Sequence, residues 1–530
     1  MLTFFVITPI LIAVFLYLFP FQRAARIISI ITQSIFTIAA FHLFTSSREE
    51  TIITVVGDYG ILGITLRADA LSSAFILLTA FIFLIAAIYS FSSNTSSLFW
   101  FLLFIWEASL IGIFLSSDIF NVFVLTEVGT VVVSVLIMYN RKERSMYDGM
   151  IYLMINVVIM QFYLFGLGFV YRQVGVLDFS AVAEALGMID TSQQILPYAL
   201  IITFVALKCA LLPLYSWLPK AHGTPGASAA VSAVLSGLHI KSGLYLFLRF
   251  QEIFEGVATR ELFLVIGIFT AFAGIIMSLA QTNIKLVLAY STVAQMGLII
   301  IGFNIGSEHN YIGSLYHIVT HGIFKTALFL GTGVLIQTYG TRNIRKIQGA
   351  FKLLPITGIT TGLAILGIIG APFFSGSVSK YFLMYDAGGF LNALLIMINL
   401  GTVIIFVKYA AMFFGKPQLV TYSNQLKKNI DWWQQAPLIV LGILCFVLGI
   451  FGERAILFLF NVSKNIDTVG YLQKSGIFIL SLVAGCLAFR YYVRDSVLFN
   501  RIKKFELGFR GMCAAIGVFF AVVVIWLFIC

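Results

Sequence analysis

The sequence contains about sixteen apolar stretches of about 17 to 25 residues, each long enough to cross the ~30 Å hydrocarbon layer of a bilayer as a helix. Helices are the expected form, because lipid offers no hydrogen-bond partner to an exposed backbone group. Hydrophobic residues make up 60% of the 530 residues and charged residues 10%, whereas about 25% charged residues is typical of soluble domains. The sequence therefore predicts an all-α polytopic membrane protein.

The net charge of +11 comes with an uneven distribution of Lys and Arg between alternate loops. If the N-terminus lies outside, the inner loops hold about twenty Lys and Arg and the outer loops about eight. This asymmetry predicts both termini on the outer side of the membrane. We expect that membrane to be the cell (cytoplasmic) membrane of a prokaryote. It accounts for the basic composition without a nucleic-acid partner. The first apolar stretch has no basic segment before it and no small-x-small cleavage site after it, so we interpret it as a retained helix.

Motifs of soluble catalytic or cofactor-binding domains do not occur: there is no GxGxxG, P-loop, HExxH or GxSxG. The five cysteines lie apart in apolar stretches without a CxxC pair; they are Cys209, Cys445, Cys486, Cys513 and Cys530. The loops are too short to carry the nucleophile site of a membrane acyltransferase. We therefore expect no catalytic residue, no cofactor and no metal centre in this chain.

A broken helix flanked by two lysines is predicted in the middle of the chain. Lys208 lies about ten residues into an apolar run, where an ammonium costs at least ~2.5 kcal/mol and is expected to face a partner or a hydrated cavity. Pro213 cannot donate a hydrogen bond to the carbonyl four residues earlier, so we expect a break one turn past the lysine. His239 and Lys241 follow within the next apolar stretch. Broken helices at membrane depth are typical of ion and proton pathways.

Two acids lie in the fourth and fifth apolar stretches. Glu127 is near the middle of its stretch and is either a protonated structural carboxyl or a proton-binding acid that acts as the counter-ion of Lys208. The second interpretation is favoured, because opposite charges within a membrane tend to pair. Glu107 is a secondary candidate, since its stretch places it nearer to a loop.

Three titratable residues in the eleventh stretch are spaced by four. His317, His321 and Lys325 therefore stack along one helix face, about 6 Å apart along the axis. Two histidines at this spacing are also able to bind a metal, but no cysteine or acid follows nearby as a third ligand. A proton relay is the favoured interpretation, because histidine titrates near neutral pH.

The twelfth stretch repeats the combination of a helix break and a lysine. Pro372 interrupts it, and Lys380 follows at membrane depth. Lys408 is another lysine within an apolar stretch, the thirteenth. It either takes part in function or extends its side chain toward the basic loop at Lys416. The sequence leaves both interpretations of Lys408 open.

Hydropathy and lysine placement divide the chain into four parts: a scaffold of three helices (1–94), two repeats of five helices each (95–252 and 253–416), and C-terminal helices (417–530). Each repeat contains one proline-broken helix with a nearby lysine. Because five is odd, the second repeat enters the membrane from the opposite side, which predicts an inverted repeat.

Four segments in order carry a specific resemblance over roughly residues 95 to 415: KCALLPLYSWLPKAHGTPGASAAVSAVLSGLHIKSGLYLFLRF, TNIKLVLAYSTVAQMGLIIIGF, HIVTHGIFKTALFLGTGV and GAPFFSGSVSKYFLM. They resemble the antiporter-like subunits of respiratory complex I, membrane-bound hydrogenases and Mrp-type cation/proton antiporters. The overall size and the loop HGTPGASAAVSA are most similar to the D-type subunit of Mrp antiporters.

The resemblance implies a core of about fourteen helices with two inverted five-helix repeats, plus about two extra transmembrane helices here after about residue 470. It implies that a proton pathway uses Glu127, Lys208, Lys241, His317, His321, Lys325 and Lys380, with Glu107, His239, Lys285 and Lys408 as secondary candidates. Some members carry an acid where this chain has Lys380. The sequence GAPFF departs from the more usual double proline at the second break.

The predicted function is that of a proton-translocating subunit of a multisubunit membrane complex, of the Mrp cation/proton antiport type. Partners are then other integral membrane subunits, protons and Na+ or another monovalent cation. Alternatives are a proton-pumping subunit of a redox-driven complex, the membrane subunit of an inorganic-carbon transporter, and a scaffold whose lysines only stabilise the fold or bind a partner. The sequence does not decide which cation or driving reaction is coupled.

Overall fold

The computed structural model describes residues 2–18, 22–57, 63–93, 95–417, 431–494, 496–503 and 505–529. Asp58, Lys427 and Lys428, which enter the count of loop charges, lie outside these residues, as does Cys530.

The N-terminal part and the first five-helix unit are helical almost throughout. Before the first break the helices are α1 (Thr3–Leu18), α2 (Gln22–Ser47), α3 (Ala70–Ser90), α4 (Ser97–Leu115), α5 (Ile119–Met138), α6 (Glu143–Val174) and the short α7 (Phe179–Gly187). The broken helix consists of α8 (Thr191–Lys208) and α9 (Trp217–Gly223). The next crossing runs from α10 (Ala229–Val234) through a π-helical turn (Leu235–His239) into α11 (Ile240–Ile253).

The second unit and the C-terminal part are also helical over most of their length. The second unit has α12 (Arg260–Ala280), α13 (Ile284–Ile305), α14 (Glu308–Tyr339), the short α15 (Ala350–Leu353), the broken pair α16 (Pro355–Ile369) and α17 (Ser375–Leu383), and α18 (Gly389–Ala410). After it come α19 (Trp432–Ile450), α20 (Gly452–Phe460), α21 (Thr468–Ala488), α22 (Val497–Ile502) and α23 (Phe509–Ile529). Within the described residues, thirteen helices are long and apolar enough to cross a membrane. Together with α1, α8 and α16 they correspond to the predicted crossings, so the polytopic all-α prediction is confirmed.

One β-hairpin was missed by the sequence analysis. Strands β1 (Ile52–Val56) and β2 (Ile64–Ala68) pair antiparallel, with Ile52 opposite Ala68. Both strands are rich in β-branched residues, which favour extended structure. The hairpin packs over the α4–α5 connection, where the Ser117 amide donates to the Thr65 carbonyl (2.9 Å).

The two five-helix units share local structure in corresponding places. Helices α6 and α14 both contain 32 residues, begin with glutamate and end at a glycine in the left-handed conformation. Asp118 forms an isolated antiparallel β-bridge with Asp178, and Asn283 forms one with Asn343. The two partners are equally far apart in the sequence in both bridges. Asp118 and Asn283 are also the N-caps of α5 and α13. These matches indicate an internal duplication, while the boundaries at 94, 252 and 416 remain predictions.

The centre of the molecule is formed by α10, α11, α13 and α14. Their apolar segments are nearly or wholly buried, whereas most of α21 and α23 is exposed. A helix that is buried on all sides presents no polar face. Ionisable side chains on these central helices must therefore find partners inside the protein.

Asp69 connects the hairpin, α3 and α11 through an ion pair. It is the N-cap of α3 and accepts a hydrogen bond from Arg249 of α11 (2.6 Å). Burial by itself would raise the pKa of Asp69, but the Arg249 guanidinium, the Ser72 amide and Arg67 together more than offset this and lower the pKa below its usual value. Its stabilising contribution is therefore complete above the unfolded-state pKa and is lost as the pH falls through the folded-state pKa.

We expect Asp69→Ala to lower the free energy of unfolding by about 3 kcal/mol, because it removes a helix cap and leaves Arg249 without its main partner. Glu252→Ala is the control: Glu252 also binds Arg249 (3.2 Å), but its side chain is 58% exposed, and such pairs contribute about 1 kcal/mol or less. The measurement is thermal unfolding in detergent. Equal changes in the two variants would contradict the structural role of Asp69.

Candidate functional site

Both broken helices end in the same local structure shortly before a proline. At the end of α8, Ala210 adopts a left-handed φ of 51°, and the following amide bonds back to the carbonyl of Ala206. At the end of α16, Gly370 has a φ of 79°, and the amide of Ala371 bonds in the same way to Leu366. This is the Schellman arrangement, which satisfies the last carbonyls of a helix. The chain therefore leaves the helix at a defined residue in both units.

The first break begins directly after Lys208, one turn earlier than predicted. The left-handed residue at position 210 ends the helix before Pro213 is reached. A 3-10 turn (Leu214–Ser216) follows the proline, and α-helical structure resumes at Trp217. Pro213 and Pro372 both lie in non-helical segments, as the sequence indicated. The lysine consequently occupies the end of a helix inside the protein, where polar groups of neighbouring helices are in reach.

Lys208 binds neutral polar groups. Its Nζ donates to Asn156 Oδ1 on α6 (2.6 Å) and to Thr130 Oγ1 on α5 (3.1 Å). Glu127 is half-buried one turn before Thr130 and within coulombic reach of the ammonium. Among the ion pairs of the described residues, none joins Glu127 to Lys208. In this conformation, therefore, the expected counter-ion acts at a distance.

The secondary candidates near Lys208 are buried and hydrogen-bonded. Glu107 lies in the middle of α4, where it accepts a hydrogen bond from Gln33 (2.5 Å), so it is deeper than its stretch suggested. His239, at the end of the π-helical turn, accepts from Trp106 at Nδ1 (3.3 Å) and bonds at Nε2 with the Tyr152 hydroxyl (3.1 Å). Both side chains sit within the first five-helix unit.

Lys241 joins the two units. Its Nζ lies 2.6 Å from Nδ1 of His321 on α14 and donates to the backbone carbonyl of Ser236. Nε2 of His321 has no hydrogen-bond partner within the described residues although it is buried. A bound water there would extend the chain of hydrogen bonds.

The two other titratable residues on this face of α14, His317 and Lys325, bind groups on neighbouring helices. His317, whose ring centroid is 6.2 Å from that of His321, bonds at Nδ1 with Ser379 of α17 (2.8 Å) and at Nε2 with Gln295 of α13 (2.9 Å). Lys325 donates to Ser291 Oγ of α13 (2.6 Å). The helix thus connects the central lysine to the second break.

Lys380 lies on α17 directly after Ser379. Its Nζ donates to the Ile368 carbonyl of α16 (2.8 Å) and to Asn399 Oδ1 of α18 (2.8 Å). It also lines a cavity of about 230 Å³ between α17, α18 and α21. Lys208 and Lys380 therefore have similar settings: a broken helix, a buried ammonium and an asparagine amide oxygen.

Two further lysines bind backbone carbonyls. Lys285 donates to the Ala227 carbonyl (2.6 Å) and to Ser232 (3.2 Å). Lys408 donates to the carbonyls of Leu279 (2.7 Å) and Gln281 (2.5 Å) at the C-terminal end of α12. A cation at this end of a helix satisfies free carbonyls and the helix dipole, which is a structural role for Lys408.

His222 was not singled out in the sequence, although it lies in the Pro/Gly loop segment that carries the family resemblance. It is buried on α9, its ring stacks on Phe329 at 4.5 Å, and neither ring nitrogen has a hydrogen-bond partner in the described part of the chain. It is within coulombic reach of Lys285 and Lys325. The sequence could have indicated this residue, because a histidine at membrane depth is a polar group that is costly to bury without a hydrogen-bond partner. No three His, Cys, Asp or Glu side chains of the described residues are placed to bind a metal together.

We expect Gly243→Ala to impair transport at least about tenfold, since a Cβ there would lie 2.6 Å from the carbonyl carbon of Lys208 and 2.7 Å from the nitrogen of Cys209. The backbone that holds Lys208 would have to move. The matched control is Gly168→Ala on α6, where a Cβ meets no atom within 4 Å. Ion transport in vesicles and thermal unfolding are measured for both. Equal behaviour of the two variants would contradict the close packing of α11 on α8.

These features define a polytopic membrane protein of the ion-translocating class, with buried ionisable residues in two duplicated units. Residues 116–406 match the family described as NADH:quinone oxidoreductase/Mrp antiporter, transmembrane. The chain belongs to this family, as the sequence segments indicated.

Curated relatives agree with this assignment, and two solved structures share the fold. The chain is 30% identical over 420 residues to NADH-quinone oxidoreductase subunit N of Desulforudis audaxviator (74% of this chain, 83% of that protein). It is 28% identical over 427 residues to the D-type subunit of the Na+/H+ antiporter of Alkalihalophilus pseudofirmus (78% and 85%). A chain of the Mrp complex from a Dietzia species superposes with a TM-score of 0.79 at 21% identity, over 90% of this chain and 99% of that one. A chain of an archaeal membrane-bound sulfane sulfur reductase gives a TM-score of 0.78 at 21% identity, over 92% and 99%. At these identities, the two solved structures confirm the fold.

Proposed function

We propose that this protein is the proton-translocating subunit of a multisubunit cation/proton antiporter of the Mrp type. The observation that supports this most is the contact between Lys241 of the first unit and His321 of the second (2.6 Å), which connects ionisable groups on both sides of the duplication. A structural role alone would not require two titratable groups to meet at the boundary between units.

The proposed route begins at Glu127 and Lys208, continues through Lys241 to His321 and its neighbours on α14, and ends at Lys380. Asn156, Thr130, Ser379 and Gln295 place hydroxyl and amide groups beside the ionisable residues. Water between these groups would allow protons to move by hopping. A charge that crosses the membrane against 100 mV requires ~2.3 kcal/mol, which a coupled cation gradient would supply.

The likeness to the D-type subunit of Na+/H+ antiporters supports Na+ or another monovalent cation as the coupled ion, and other integral membrane subunits as partners. The bacterial relatives support a prokaryotic cell membrane, and the Lys and Arg distribution supports an N-terminus on its outer side. We propose the four-part division of the chain from its hydropathy and from the lysine beside each helix break, and the matching ends of α6 and α14 support it.

A second candidate function is proton pumping within a redox-driven complex. It is favoured by the 30% identity to an NADH-quinone oxidoreductase subunit, which exceeds the 28% identity to the antiporter subunit of Alkalihalophilus pseudofirmus. The proposed proton route is the same in both cases, and only the source of energy differs.

The test uses inverted membrane vesicles that contain the protein with its native partner subunits and a pH-sensitive dye. Antiport predicts that Na+ or K+ added to vesicles with an imposed pH gradient collapses the gradient. Redox-driven pumping predicts a new pH gradient on addition of an electron donor and no response to the cations. The absence of both responses would contradict a translocating subunit and support a scaffold.

A further inference from the structure

The cavity at Lys380 has one wall that comes from outside the five-helix units. Helix α21 closes it opposite α17 and α18. Its volume of about 230 Å³ is enough for several water molecules. Four polar lining residues come from α21: Tyr471, Gln473, Lys474 and Ser475. Helix α21 is one of the two helices that exceed the fourteen-helix core implied by the family resemblance. Its side chains therefore line the cavity of Lys380, the last residue of the proposed route.

Tyr471 connects α21 to the second helix break through two hydrogen bonds. Its hydroxyl accepts a hydrogen bond from the amide of Phe373 (3.0 Å) and bonds with Ser377 Oγ (2.7 Å). Helix α17 has no side-chain cap of its own, and these bonds occupy polar groups around its first turn. The wall is thus attached to the segment that carries Lys380.

Lys474 brings a second ammonium to the cavity, one turn after Tyr471. Its Nζ donates to the carbonyl of Tyr381 (2.9 Å) and lies 4.6 Å from the centre of that ring. Asp386 is within coulombic reach but does not line the cavity. Among the described lining residues there are two lysines and no acid. Walls of low dielectric constant focus such a field, so we expect the ammonium of Lys474 to give the cavity a positive potential.

We propose that α21 makes this cavity a cation-repelling vestibule, in which Lys474 excludes hydrated metal cations but admits water and small anions, while Tyr471 holds the wall on the helix break. Its place at the end of a proton route rests on the proposed function, whereas its charge selectivity does not.

The test measures the accessibility of one thiol to reagents of opposite charge. In full-length protein with its partner subunits, Cys486, Cys513 and Cys530 are changed to serine, and Ser475→Cys places a thiol in the cavity wall. Vesicles are treated with an anionic (sulfonatoethyl) or a cationic (trimethylammonioethyl) methanethiosulfonate, and the two labelling rates are compared. We expect the anionic reagent to be faster, and Lys474→Gln to lower the anionic-to-cationic rate ratio at least about tenfold, since one unit charge changes at close range.

Two variants control for charge and for folding. Lys474→Arg keeps the charge and should keep the ratio. Lys464→Gln removes an ammonium from the segment before α21, where it pairs with Glu308 outside the cavity lining, and should also keep the ratio. An unchanged ratio in Lys474→Gln, or no labelling of the Ser475→Cys protein, would overturn the proposal. If the ratio shifts while Lys208→Ala transports normally, the vestibule stands and the proposed proton route fails.

Discussion

Vesicles with Lys208→Ala are expected to translocate protons at least about fiftyfold more slowly than wild-type vesicles. The substitution removes the ammonium that binds Asn156 and Thr130 at the end of α8. A proton that has to pass this point without an ionisable partner meets a barrier of at least ~2.5 kcal/mol for a charge at membrane depth, and each ~1.4 kcal/mol is tenfold in rate. The dye-based pH assay in vesicles measures the effect.

Lys352→Ala is the control for Lys208→Ala, because Lys352 is exposed on the short α15 and its substitution removes the same charge from the chain. It should leave transport unchanged. Both proteins are compared by thermal unfolding, so that loss of folded protein is separated from loss of transport. Wild-type transport by folded Lys208→Ala protein would remove this residue from the proton route.

Lys241→Met is expected to reduce transport to a similar extent, because it breaks the contact with His321 between the two units. Methionine keeps most of the side-chain volume, so the packing of α11 is largely retained. His321→Ala in the same protein should add little further loss, since residues in direct contact are not additive. Transport rates of the two single variants and the double variant measure this coupling.

Lys408→Met is the matched control, because it replaces another buried lysine by the same residue. Lys408 binds carbonyls at the end of α12, so we expect this variant to lose stability by about 1 to 3 kcal/mol and to keep its transport per folded molecule. Loss of transport in Lys408→Met equal to that in Lys241→Met would contradict the distinction between route and structural lysines.

The crossings and the helix breaks were predictable because they depend on local sequence. An apolar stretch of sufficient length is helical in a membrane whatever its neighbours are, and Pro213 and Pro372 cannot continue a helix. The exact start of the first break was wrong by one turn, since a left-handed Ala210 is not recognisable from composition. The hairpin formed by Ile52–Val56 and Ile64–Ala68 was missed because the short segment between the second and third crossings was treated as a loop.

The partners of the buried charges were not predictable. Sequence spacing placed His317, His321 and Lys325 on one helix, but each side chain binds a different set of neighbouring groups. Glu127 was expected to pair with Lys208, and the ammonium instead binds an amide and a hydroxyl from α6 and α5. Helices that are apolar on every side give no indication of which face meets which neighbour.

The sequence by itself determined the membrane class, the number and position of the crossings, the broken helices and the family, because these follow from composition, length and short motifs. Only the tertiary structure decided that Lys241 meets His321, that Lys408 caps α12, and that α21 brings Lys474 to the cavity of Lys380. The physical reason is that these contacts join residues far apart in the chain, and their geometry is set by how whole helices pack rather than by any local preference.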